Sequence, residues 1–117
     1  SHIARAALDA IAWQVFDVAG IKSMLSEKPV EYKEFLRVPH LSCGIYHLQA
    51  GSQDMQTPHD EDEMYYVLEG RARLQVGGEI QDIQPGTILY VRATAEHSFF
   101  EIEEDMTLLV FFASGAF

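Results

Sequence analysis

Apolar and polar positions alternate with two different periods along this chain. Ile3, Ala7, Ile11 and Val15 recur four apart with Ala-rich filling, so residues 3 to 16 predict a helix. Gly20 can end it, and "IKSMLSE" offers a second short helical turn before Pro29. From Tyr32 the period becomes two. Tyr32, Glu34, Leu36 and Val38 alternate with Lys33, Phe35 and Arg37. Pro39-His40 breaks the run, and Leu41 to Gln49 resumes it, with Tyr46 and Leu48 on one face and Ile45 and His47 on the other.

The second half predicts further short strands: Met64 to Glu69, Arg71 to Val76, Glu79 to Ile83, Ile88 to Val91, Ser98 to Ile102 and Thr107 to Phe112. Gly77-Gly78 suits a two-residue hairpin turn. Gln84-Pro85-Gly86-Thr87 has proline and then glycine at its centre, the mark of a type II turn. Short strands separated by turns, with little helix between them, predict an all-β sandwich or barrel. The expected organisation is an N-terminal helical segment, residues 1–31, packed on a β-domain, residues 32–117.

The length of 117 residues fits one domain, and the apolar fraction of 48% is that of a globular chain. The formal net charge of -10 repels phosphate backbones and anionic lipid, so neither nucleic acid nor membrane is an expected partner. No apolar run reaches the roughly eighteen residues of a membrane span, and no secretory leader pattern is read. Cys43 is the one cysteine, so no internal disulfide can form, which fits a reducing, cytoplasmic setting.

The most charged stretch, Asp60-Glu61-Asp62-Glu63, lies directly before an apolar strand. A carboxylate at a strand entrance is costly to bury without a partner. No lysine or arginine lies between Gln53 and Gly70, which leaves a metal ion as the other partner for Glu63. His59, four residues earlier, and His97, opening a later strand, are the candidate co-ligands. Two histidines and a carboxylate without thiolate suit Fe, Mn, Ni or Zn, and such a set with open positions suits non-heme iron and O₂.

Two spaced motifs resemble those of the cupin superfamily, small single-domain type. Glu63, six residues and Gly70 match the end of the first motif. Gly86, five residues, Arg92-Ala93-Thr94, two residues and His97 keep the spacing of the second. The fifteen residues between Gly70 and Gly86 match the short spacing of small microbial cupins, and the resemblance covers residues 41 to 112. It implies a cupin double-stranded β-helix, a jelly-roll barrel of RmlC-like kind, with Glu63 facing inward and Asp60, Glu61 and Asp62 in a solvated turn. The first motif's His-x-His is replaced by Gln56-Thr57-Pro58-His59. Counting four residues before the glutamate puts Gln56 and Pro58 at the two histidine positions; counting three puts Thr57 and His59 there. The favoured ligand set is Gln56, His59, Glu63 and His97 around one divalent metal ion. The second motif's Pro, Gly and Asn are replaced by Arg92, Thr94 and Glu101.

His47 could line the pocket, or simply make one hydrogen bond. Tyr65, on the face of Glu63, could approach the metal or sit in the core. No catalytic residue is assigned. The resemblance implies a metal-dependent enzyme acting on a small molecule, as dioxygenase or other oxygenase, isomerase or lyase. The competing reading is a non-catalytic ligand-binding module or a barrel with a structural metal. "MTLLVFF", residues 106 to 112, is apolar on both faces, as are Met64, Tyr66 and Leu68 opposite Glu63, which predicts a homodimer.

Overall fold

The computed structural model describes residues 12–54 and 58–113. One short helix, α1 (Val18–Lys22), is followed by β1 (Val30–Val38), β2 (Leu41–Leu48), β3 (Glu63–Val76), β4 (Glu79–Ile83), β5 (Ile88–Val91) and β6 (His97–Ala113). All pairings are antiparallel, in the order β1-β2-β6-β3-β4 with β5 also on β3. The architecture is all-β, as the strand pattern predicts, and is the jelly-roll barrel that the resemblance implies.

The predicted helix over 3–16 is corrected in its described part. Residues 12–17 are irregular and exposed, and residues 3–11 lie outside the described residues. Helix instead begins after Asp17, whose carboxylate accepts from the Gly20 amide at 2.6 Å. A side-chain cap of this kind satisfies one of the donors a helix start leaves open. Gly20 therefore lies within α1 and does not end a helix. Ile21 is buried, and Lys22 reaches Glu69 at 3.0 Å.

Two pairs of predicted strands are each one long strand. Met64–Glu69 and Arg71–Val76 join as β3; Ser98–Ile102 and Thr107–Phe112 join as β6. Each passes through both halves of the barrel. The first half of β3 pairs with β5 and with Leu108 to Phe112 of β6; the second pairs with β4 and with His97 to Glu104. Between them the register shifts three times from Val67 to Arg73, and the strand bends at Gly70, where φ is +100°. A Cβ at residue 70 would lie 2.5 Å from both the Asp105 carbonyl oxygen and the Met106 Cα. The motif glycine is thus the hinge around which the two sheets close.

Strand pairing defines two faces. Tyr46, Leu48, Tyr65, Val67, Leu74, Phe99, Met106, Leu108 and Val110 point inward and form one buried cluster. The next row faces outward: Glu31, His47, Thr107 and Glu69 align across four strands. His47 is therefore not in the pocket. Its Nδ1 lies 2.9 Å from the Thr107 hydroxyl, which donates to Glu69 at 2.9 Å, so His47 is the Nδ1–H donor of a polar chain running to Lys22. Glu31 is held by the Ser26 amide at 2.6 Å and by the Ser26 hydroxyl, which ties the chain after α1 to β1.

β1 departs from simple alternation. A bulge between Glu34 and Leu36 puts Leu36 opposite Cys43 on the outer face and Arg37 opposite Ser42 on the inner one. Tyr32, Glu34 and Arg37 therefore face inward, in place of the predicted row continuing through Leu36 and Val38. An inserted residue reverses the facing of everything after it, and the hydrophobic pattern of this strand does not reveal it.

Two of the three departures from the second motif carry left-handed backbone: Thr94 has φ 65° and Glu101 has φ 48°. Glycine and asparagine adopt that region far more readily than a β-branched residue. Thr94→Gly should gain about 0.5–1 kcal/mol after the extra unfolded-state entropy of glycine is subtracted. Gly70→Ala should instead lose about 3 kcal/mol or more from strain and clash. Urea unfolding midpoints of the two variants should move in opposite directions.

Candidate metal centre and cavity

Glu63 opens β3 and His97 opens β6, opposite Val76 at the far end of β3. On a straight strand Glu63 and Val76 would be about 40 Å apart. The bend at Gly70 instead brings Glu63 and His97 together inside the barrel, with His97 Nε2 and Glu63 Oε1 2.8 Å apart and both side chains almost fully buried. Tyr65, buried on the same face, places its hydroxyl 3.0 Å from His97 Nε2. Its ring packs edge-on against Phe99 at 5.3 Å.

His97 Nδ1 lies 2.9 Å from the Ala95 carbonyl oxygen and donates its proton there. That bond fixes the tautomer, so Nε2 is the nitrogen presented to Glu63. The short Nε2–Oε1 contact requires positive charge at this point, either a proton on Nε2 or a cation. The hydrogen bond to Glu63 raises the His97 pKa above its ordinary value, with burial opposing it and the Ala95 carbonyl assisting. Glu63 Oε2 is buried and has no hydrogen-bond partner. An unfilled buried acceptor beside a fixed imidazole nitrogen is a donor set suited to a divalent cation.

His59 is half-buried. Its ring lies edge-on to Phe112 at 4.9 Å, and its carbonyl accepts from the Thr94 amide at 2.7 Å. Gln56 lies outside the described residues. The structure thus brings Glu63 and His97 together and puts His59 on the cavity wall. Among the described residues, no three His, Cys, Asp or Glu side chains form a group that could hold a metal.

The acidic turn is less uniform than its charge suggests. Asp60 is exposed. Glu61 is half-buried and lines the cavity. Asp62, though exposed, accepts from the Ala93 amide at 2.7 Å through its side chain and from the Ala113 amide at 3.0 Å through its carbonyl. It fastens the turn that leads to His97 and the end of β6 to the mouth of β3.

A cavity of about 350 Å³ opens between β1, β2, the end of β6 and the acidic turn. Tyr32, Tyr46, Phe112 and His59 give it aromatic walls; Glu34, Arg37, Ser42 and Glu61 give it polar ones. Gly44 makes room for Tyr32, because a Cβ there would fall 2.2 Å from the Tyr32 hydroxyl oxygen. Burial raises the Tyr32 pKa to about 12, aided by the Glu34 charge. Glu34 Oε1 accepts from the Ser42 hydroxyl at 2.7 Å and pairs with Arg37 Nη2 at 2.8 Å. Deeper in, Asp54 accepts from the Tyr46 hydroxyl at 2.6 Å and from the Phe99 amide at 2.9 Å, which pins the loop before the first motif to both sheets. Sequence reading missed these residues as site components. Only the inward alternation of Tyr32 and Glu34 gave a usable signal; Arg37 depends on the bulge, and Asp54 sits in a loop without periodicity.

The cupin domain family matches residues 44–112. This chain belongs to the cupin family. An uncharacterized protein of Streptomyces coelicolor is 44% identical over 82 residues, which are 70% of this cupin and 78% of that relative. KdgF from Halomonas sp. shares the fold with a TM-score of 0.66 and 18% identity, over 78% of this cupin and 86% of that chain. A salicylate 1,2-dioxygenase from Pseudoaminobacter salicylatoxidans, in complex with gentisate, matches with a TM-score of 0.67 and 18% identity over 73% of this cupin. This cupin spans only 25% of that dioxygenase. At such identities these two likenesses establish the fold. No helix among the described residues is long and apolar enough to cross a membrane.

The Ser42 hydroxyl is the largest cause of the lowered Glu34 pKa, followed by opposing burial and then Arg37. A depressed carboxylate contributes stability above its unfolded pKa of about 4.3 and loses it as pH falls through the lower folded value. Ser42→Ala should move the Glu34 pKa back toward the ordinary range and flatten this acid-side loss. A carbon-detected carboxylate titration by NMR reads both proteins directly.

Proposed function

We propose that this cupin is a metal-dependent enzyme acting on a small organic molecule, of oxygenase or of isomerase or lyase type. One divalent ion, Fe, Mn, Ni or Zn, would be held by His59, Glu63 and His97, with Gln56 as a fourth ligand. The observation that carries this reading is the buried Glu63–His97 pair, with Nδ1 tied to Ala95 and Glu63 Oε2 unpartnered. Such an ion would supply Lewis acidity for a substrate oxygen and, if iron, a site for O₂. The protein's own contribution is to hold the Nε2 lone pair inward, to keep water from the buried carboxylate, and to offer a Tyr65 hydroxyl at the same nitrogen. The adjoining cavity is large enough for a small ligand. A non-catalytic ligand-binding module is the second reading, favoured by the position of His59 away from a three-residue ligand group.

His97→Ala or Glu63→Ala should remove most bound metal from protein purified without added metal, and Gln56→Ala should have a smaller effect. Full stoichiometric metal in His97→Ala, by elemental analysis, would refute the site. Turnover screens run with and without oxygen then separate oxygenase from isomerase or lyase; a ligand that binds and never turns over favours the binding module.

We also propose a homodimer through the outer face of β3 and β5. Met64, Tyr66, Ile88 and Tyr90 are 45%, 39%, 62% and 61% exposed, and they pair as Met64–Tyr90 and Tyr66–Ile88. Half-buried Leu109 and Phe111 of β6 extend the patch. Burying each large side chain contributes roughly 1.5–3 kcal/mol. Sedimentation velocity at micromolar concentration should give twice the chain mass for the native protein and the chain mass for an Ile88→Lys, Tyr90→Lys variant. A native monomer there would rule the dimer out.

A further inference from the structure

We infer that the cavity receives the cationic head of an amine-bearing small molecule, seated against the rings of Tyr32, Tyr46 and Phe112 beside the carboxylates of Glu34 and Glu61. This rests on the proposed reading of the same site and names its substrate class; the recognition itself requires no metal. Tyr32 stands 6.4 Å from Tyr46 at 62° and 6.4 Å from Phe112 at 72°. The three rings line one cavity of about 350 Å³ and are steeply inclined to one another. A cation within about 6 Å of a ring centroid is attracted by the negative face of the ring.

Charge selects the sign of the ligand. The one arginine on the cavity is already paired with Glu34, whose same oxygen accepts from Ser42. An incoming anion would compete with Glu34 for the charge of that guanidinium. It would also have to pass Asp60, Glu61 and Asp62 on a chain of net charge -10. With Glu34 and Arg37 cancelling, Glu61 is left as net negative charge on the wall. An ammonium group meets ring faces and carboxylates together, whereas an uncharged group of the same shape gains only the apolar contact.

Calorimetric titration of the full chain after chelator treatment tests this with three probes: choline, its uncharged isostere with carbon in place of the quaternary nitrogen, and benzoate. Choline should bind saturably and at least about tenfold more tightly than the isostere, with benzoate weaker than choline. Tyr32→Leu and Glu61→Gln should each lose most of that preference, and the turn position of Glu61 keeps the second variant readable if the first fails to fold. Equal binding of choline and isostere, tighter binding of benzoate, or no saturation by choline at millimolar concentration would overturn the inference. Folded His97→Ala should lose metal and keep the choline preference. Loss of the preference in that variant also overturns the inference, while native metal content there counts against the metal reading alone.

Discussion

At Gly70 the backbone of β3 runs so close to Asp105 and Met106 of β6 that no side chain fits between them. That contact lets two strands of 14 and 17 residues fold over together and serve both halves of the barrel. Everything at the site follows from the fold-over. Glu63 and His97 oppose different ends of the pairing between β3 and β6, and only the bend puts them 2.8 Å apart. The same bend closes Leu74, Ile83, Phe99 and Ile102 over Val67, Met106 and Leu108 as one core.

A buried carboxylate and imidazole are expensive to desolvate, and separating such a pair costs about 3–5 kcal/mol. The barrel keeps them because their surroundings leave each with a fixed role. Ala95 orients the imidazole, Tyr65 reaches the same nitrogen, and Asp62 holds the turn before His97 in place. The unpartnered Glu63 oxygen is the exception.

The interior is divided in two. The half around Phe99 and Leu74 is packed apolar core. The half near β1 is a cavity, because Gly44 and the β1 bulge admit Tyr32 and Arg37 where aliphatic side chains would otherwise meet. The outer surface shows the same economy of means. A polar row from His47 through Thr107 and Glu69 receives Lys22 of α1.

The sequence by itself determined the strand alternation and the turns at Pro85-Gly86 and Gly77-Gly78; the inward facing of Glu63 was implied by the family resemblance. The alternation and the turns are local: each follows from side-chain period or from the backbone freedom of one or two residues. The hydrogen bond from Thr87 to Gln84 and the burial of Glu63 agree with that reading. Continuity of β3 and β6, the bulge in β1, the outward facing of His47, and the left-handed Thr94 and Glu101 were decided only by tertiary structure. Each depends on which strand lies alongside, and pairing partners here are far apart in sequence, as Leu41 and Ala113 are. The cavity walls of Tyr32 and Arg37 belong to the same class, since a concave surface exists only when distant strands close around it.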